Sequence, residues 1–452
     1  MNLHGFGAVG LPWAFDAGGV TTDLATSVPP ADDDRSRRVS RRVMLGGLAG
    51  GSVAVAGGAA GLRWAVDRAA GSGSATTPAP NPSAVASAAA VVEAARRRSG
   101  RTQTVDLVAR RAQVDLGGTV VTAMTYGGVL PGALVRVGAG DVLRARIRNE
   151  LDQPTSVHWH GLALRNDADG VPEVTGGEVA AGGTGTVEFV VPDDPGTYWF
   201  HPHTGLQLDW GLHAPLVVED SNEPGGYDHE LVVVLDDWTV GIGKTPELLL
   251  ADLMAGKGAT GMGGMSGMGM GGSGGMGSMS DSGDVDYPAY LANGRLASDP
   301  TSLAARPGQR VRIRLVNAAA DTVFDVALAD HQLTVTHSDG FPVVPVRTEV
   351  LRIAMGERYD ATVTLADGVF PLVAAPVGKT GTAPRVIVRT GSGPVPAADV
   401  RPAELNGQIL TVDQLVAADA VRLTDRDPET VQQVMLGGHH GRLPVDHQRH
   451  RL

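Results

Sequence analysis

From Arg101 onward, apolar and polar residues alternate in short runs separated by Gly, Pro, Asn and Asp. Leu143, Ala145 and Ile147 alternate with Arg144, Arg146 and Arg148, which predicts a strand with one buried face and one wet face. Gly140 and Asn149 bracket that run. The same device returns at Val311, Ile313 and Leu315, interleaved with Arg310, Arg312 and Arg314 and bracketed by Gly308 and Asn317. A second echo pairs Gly196-Thr197-Tyr198 with Gly368-Val369-Phe370. The chain therefore repeats itself after roughly 170 residues, and two homologous all-β sandwiches fit better than one large domain. Their boundary is expected in the polar turn sequence between Asp220 and Asp228.

The sequence ahead of the first strand has no such period. Residues 1–34 end in the acidic run Asp32 to Asp34; the basic segment Arg35 to Arg42 precedes an apolar stretch from Val43 to Leu62. Basic residues before an apolar segment read as an export signal. Ser40-Arg41-Arg42-Val43-Met44-Leu45 resembles the twin-arginine motif of proteins exported in the folded state. The apolar stretch is also long enough to serve as a membrane anchor. The expected organisation is an extension over 1–70, an Ala/Pro/Ser-rich linker over 71–100, β-domains over 101–222 and 228–395, and a remainder over 396–452. Export would place the protein in the periplasm or outside the cell.

Composition narrows the chemistry. The 452 residues include no cysteine, which excludes disulfides, thiolate metal sites and cysteine nucleophiles. A formal net charge of −12 argues against a nucleic-acid partner held by bulk electrostatics. Four of the thirteen histidines form two matching pairs, His158-Trp159-His160 and His201-Pro202-His203. On a strand, residues two apart point to one side, so each pair can offer two imidazoles to one metal cluster. In the repeat, the positions equivalent to His158 and His160 are Val326 and Leu328, and those equivalent to His201 and His203 are Val373 and Ala375. One domain is thus expected to carry ligands and the other to act as a structural spacer.

From about Arg101 to Gly438 the chain resembles the multicopper oxidases, three-domain cupredoxin proteins related to laccases and bacterial cuprous oxidases. The resemblance rests on both His-x-His motifs, on Gly205-Leu206-Gln207 and Pro215-Leu216-Val217-Val218-Glu219-Asp220, and on Leu235-Asp236-Asp237-Trp238-Thr239. Asn293-Gly294-Arg295, Asp339-Gly340 and Gly356-Glu357-Arg358-Tyr359-Asp360 extend it through the second domain. It implies an all-β fold of tandem cupredoxin-like Greek-key sandwiches. It also implies oxidation of Cu(I) or phenolic substrates coupled to reduction of O2 to water. By position, His158 corresponds to a type 2 copper ligand and His160, His201 and His203 to type 3 ligands. Asp169 corresponds to the acid that relays protons toward bound oxygen, although an aspartate in a turn explains the residue equally well.

The resemblance also implies parts that this sequence does not contain. The type 1 copper needs a thiolate, and half of the cluster's histidines belong to a third domain. That domain is expected to begin at Val434-Met435-Leu436-Gly437-Gly438 and to be cut short, leaving type 2 and type 3 half-sites only. The last fourteen residues carry four histidines and three arginines and read either as a metal-binding tail or as a shifted reading frame. On this reading the isolated chain does not turn over; the alternative is an exported two-domain protein that binds and sequesters copper.

Residues 254–279 hold Met254, Met262, Met265, Met268, Met270, Met276 and Met279 among glycines and serines. Thioethers are soft ligands that favour Cu(I), so Met262, Met265, Met268, Met270, Met276 and Met279 are candidates for capturing it.

Overall fold

The first repeat folds as two four-stranded sheets. Strands β1 (Thr102–Asp115), β2 (Val120–Tyr126), β4 (Val142–Asn149) and β6 (Thr184–Val190) form one, in the order β2-β1-β4-β6. Strands β3 (Val135–Gly138), β5 (His158–His160), β7 (Gly196–His201) and β8 (Ala214–Glu219) form the other, in the order β3-β8-β7-β5. Alternating residues of both sheets bury one core that includes Ala109, Leu143, Ile147, Trp159, Phe200 and Leu216. These descriptions come from a computed structural model and cover residues 91–220, 223, 225–255, 283 and 285–424. The export motif and anchor stretch, Met262 to Met279, and the tail with the expected third-domain start lie outside the described residues.

The second repeat uses the same plan with added strands. One six-stranded sheet comprises β9 (His229–Trp238), β10 (Ala289–Ala292), β12 (Arg310–Asn317), β14 (Leu333–Ser338), β15 (Phe341–Thr348) and β17 (Arg358–Thr364). The other comprises β11 (Ser302–Ala304), β13 (Phe324–Leu328), β16 (Val350–Ile353), β18 (Val369–Pro376), β19 (Arg385–Arg389) and β20 (Ile409–Leu410). In both repeats the first strand runs parallel to the bracketed strand, β1 to β4 and β9 to β12. Asn149 and Asn317, which close the bracketed strands, are fully buried. Each accepts a hydrogen bond at 3.0 Å from the amide two residues on and donates to backbone carbonyls of the following turn. The sequence period therefore reports a repeated structural device as well as a repeated composition.

Two sequence expectations need correction. The arginine face of β4 is exposed and paired across its neighbours, Arg144 with Glu188 and Arg146 with Asp106. The arginine face of β12 is not wet: Arg312 and Arg314 are only 5% and 3% exposed. It lies against the first sandwich, where Arg314 donates to Thr197 Oγ1 at 3.0 Å and both guanidiniums engage Asp360. Alternation says that a strand has two faces, and only packing decides what covers the second. The register of the repeat also slips by one residue. His158 stands opposite His201, whereas Val326 stands opposite Ala374 rather than Val373.

Candidate metal centre

Strand β5 is three residues long, and its centre fixes the site. Trp159 is fully buried in the first core, against Phe189 and Phe200, with ring centroids 5.2 Å from each. Its neighbours His158 and His160 must then project from the opposite side. On β7, Phe200 likewise enters the core, so Trp199 and His201 share the face of the histidines. Antiparallel pairing sets His158 opposite His201 and His160 opposite Trp199. His203 lies just past the strand end, where its amide donates to Ser156 Oγ at 2.9 Å. The Thr204 hydroxyl donates to Glu178 Oε1 at 3.0 Å and accepts from the Ser156 hydroxyl at 3.1 Å.

All four sequence-predicted histidines therefore meet in one place. Ring centroids of His158 lie 5.7, 5.5 and 4.8 Å from those of His160, His201 and His203. One ligand nitrogen from each of His158, His201 and His203 falls within 4.8 Å of the others. The His160 Nδ1 stands 3.3 Å from His201 Nε2. Two nitrogens bound at about 2.0–2.1 Å to one ion at a near-tetrahedral angle are separated by about that distance.

Protonation favours such a role. Burial, reinforced by Arg358 and by the other imidazoles, pushes the His160 pKa down to about 3. Burial and the neighbouring histidines push His201 down to about 2, and His203 is also lowered. Neutral imidazole is the form that binds metal. The backbone fixes which nitrogen is offered. His158 Nδ1 donates to Asp169 O at 3.0 Å and His201 Nδ1 donates to Pro202 O at 3.1 Å. A carbonyl oxygen only accepts, so the Nδ1 proton is fixed there and Nε2 is the nitrogen each ring has left to offer a metal.

Asp169 closes the short helix α1 (Asn166–Asp169) and meets His158 twice, through its carbonyl and through a carboxylate oxygen 3.4 Å from Nδ1. Its other carboxylate oxygen accepts from Thr175 Oγ1 at 3.0 Å. Gly170 makes this approach possible. It sits at φ +77, and a Cβ there would stand 1.8 Å from Val157 O. We expect Gly170→Ala to destabilise the chain by at least about 2 kcal/mol, since left-handed strain alone costs about 1–2 kcal/mol and the clash adds to it. Denaturant unfolding measures this, and a loss below about 0.5 kcal/mol would contradict the close approach.

Sequence reasoning missed the residues that surround the ligands. Trp199 stacks on His160 and His201, at 4.7 and 4.2 Å between centroids. It also packs in a cluster with Leu208 and with Val234, Val316 and Ala318 of the second domain. Period-two alternation from His201 places Trp199 on the ligand face, so that signal was present. Gly356 and Arg358, which reach the site from the second domain, stood out in the sequence only as part of a resemblance motif, with nothing tying them to the histidines.

Comparisons with known proteins agree on one group. A family model described as multicopper oxidase matches residues 108–223, and a second one matches residues 229–392. The multicopper oxidase MmcO of Mycobacterium tuberculosis is 46% identical over 424 residues, covering 92% of this chain and 78% of the relative. Copper resistance protein A of Pseudomonas syringae pv. tomato is 34% identical over 66% of this chain, which spans 52% of that relative's length. Among solved structures, a multi-copper oxidase from Pseudomonas thermotolerans superposes with a TM-score of 0.53 at 28% identity, covering 68% of each chain.

Proposed function

The chain belongs to the multicopper oxidase family, a family of copper-dependent oxidoreductases, and from that premise we propose that His158, His160, His201 and His203 hold copper as the first-domain half of an oxygen-reducing cluster. His158 takes the type 2 position and the other three the type 3 positions. The observation that carries this reading is the convergence of four imidazoles, with His160 Nδ1 and His201 Nε2 facing each other at 3.3 Å. Copper bound there would supply one-electron redox chemistry. The protein's own part is to keep the imidazoles neutral and fixed in orientation. Asp169, beside His158, is the residue we assign to proton supply.

The substrates that fit this reading are Cu(I) or phenols, with O2 as the oxidant. The sequence holds no cysteine, so the thiolate of a type 1 copper must come from outside this chain for turnover to occur. Without it, the chain binds copper and does not cycle. We assign the Ser40–Leu45 motif to twin-arginine export into the periplasm or beyond, and the stretch 43–62 to a signal or anchor. Among the described residues, no helix is long and apolar enough to cross a membrane. Met262, Met265, Met268, Met270, Met276 and Met279 are assigned to capture of Cu(I).

Titrating Cu(II) into the full chain tests the central assignment. We expect saturable binding without the intense visible absorption of a copper–thiolate bond, and loss of that binding in the quadruple variant H158A/H160A/H201A/H203A. Equal binding by the quadruple variant would sink it.

A further inference from the structure

The second domain reaches into the histidine cluster through one turn and one side chain. Gly356 sits at φ +77, and a Cβ there would stand 2.9 Å from Cε1 and 3.1 Å from Nε2 of His160. The turn is tied down internally, with the Ala354 amide donating to Glu357 Oε2 at 2.7 Å. Two residues on, Arg358 opens β17 and is 5% exposed. Its Nε donates to Thr197 O on β7 at 3.2 Å, and its Nη1 donates to Gly356 O at 3.2 Å. Nη1 also pairs with Asp339 Oδ1 at 3.0 Å, and the guanidinium lies 5.5 Å from the centre of the Tyr198 ring. A Cβ on Gly161, the residue after His160, would stand 2.2 Å from Arg358 Nη2. One planar guanidinium thus bonds the start of β7 and the turn that abuts the His160 ring, and packs against the residue that follows β5.

We propose that Arg358 is a positioning residue for the metal site. By locking β5, β7 and the Gly356 turn together, it seats the Nε2 edge of His160 against second-domain backbone and turns Nδ1 toward His201. The second domain is then part of the site's mounting, where the sequence suggested a spacer. The inference rests on the copper reading above for its consequence, but the imidazole orientation is observable without metal.

The guanidinium fork suits this task, since its donors point in fixed directions that an ammonium cannot reproduce. Arg358→Met and Arg358→Lys, made in the full chain, test it against Arg312→Met, which breaks the same domain seam without approaching His160. In the metal-free chain, His160 Nδ1 faces the acceptor His201 Nε2 at 3.3 Å and so carries the ring proton; ¹⁵N NMR should show His160 losing this Nδ1-protonated form in both Arg358 variants and keeping it in Arg312→Met. Cu(II) affinity should fall roughly ten- to a hundred-fold in the Arg358 variants, with an altered EPR spectrum of the bound ion. For Arg312→Met, only the thermal midpoint should drop. If Arg358→Met fails to fold, Arg358→Lys carries the comparison. Unchanged His160 resonances in a folded Arg358 variant would overturn the inference, as would an equal change in Arg312→Met. Absence of Cu(II) binding by the unaltered chain would instead overturn the copper reading and leave the NMR comparison standing.

Discussion

Asp360→Ala is expected to remove about 3–5 kcal/mol of folding stability, the range for breaking a buried ion pair from one side. Asp360 is 1% exposed. It accepts from Arg312 Nη2 at 2.6 Å, Arg314 Nη1 at 2.8 Å and Thr197 Oγ1 at 2.5 Å. Burial alone would raise its pKa, but Arg314 and Arg312 outweigh burial and hold the carboxyl below its usual range. Removing the carboxylate leaves two guanidiniums in the seam, with Glu223 and Glu230 at its edge. The sign with pH follows. A depressed carboxyl pKa contributes stability that is present above the unfolded value, about 3.9, and is lost as pH falls through the folded value. Urea unfolding at neutral pH measures the effect. A loss under about 1 kcal/mol would mean that the seam reorganises around the missing charge.

The second large effect concerns acid. In the metal-free chain, burial holds His160 and His201 down to about 3 and about 2, whereas unfolded histidine titrates near 6.5. Below that value the unfolded state binds two protons that the folded state refuses, so stability falls with pH. Above about pH 8 the two groups contribute almost nothing to the slope. Two such groups contribute about 2.7 kcal/mol per pH unit between roughly pH 6 and 4, at 1.36 kcal/mol per unit each. The effect is best read as a difference between the unaltered chain and the variant H160Q/H201Q. Asp209, raised to about 6 by burial and by Asp237, has the opposite sign over part of that window and cancels in the difference. Urea midpoints collected from pH 7 to 4 should fall more steeply for the unaltered chain than for the variant as pH drops. Parallel curves would show that the folded chain protonates these imidazoles freely.

The amount legible beforehand differed between fold and site for a definite reason. Asn149 and Asn317 closing matched strands, and His158 and His160 at period two on β5, are local patterns that folding keeps, whereas His203 joins the cluster from just past the end of β7. The face of β12 was misread because Arg310, Arg312 and Arg314 alternate in the same way as Arg144, Arg146 and Arg148. Arg310 stays exposed while Arg312 and Arg314 are buried, and these two differ from the wet set on β4 only in what packs over them. The one-residue slip opposite Val326 was invisible for a related reason, since register belongs to a pair of strands.

By itself, the sequence determined the family, the two β-sandwiches and the four imidazoles, because strand periodicity and a His-x-His spacing put side chains on a face whatever surrounds them. Only the tertiary structure decided that the two pairs face each other across β5 and β7. It also decided which nitrogens are left to offer a metal, and that Gly356 and Arg358, about 200 residues farther along the chain, hold the His160 ring. Those are contacts between distant segments, set by how two curved sheets dock, and no spacing within either segment encodes them.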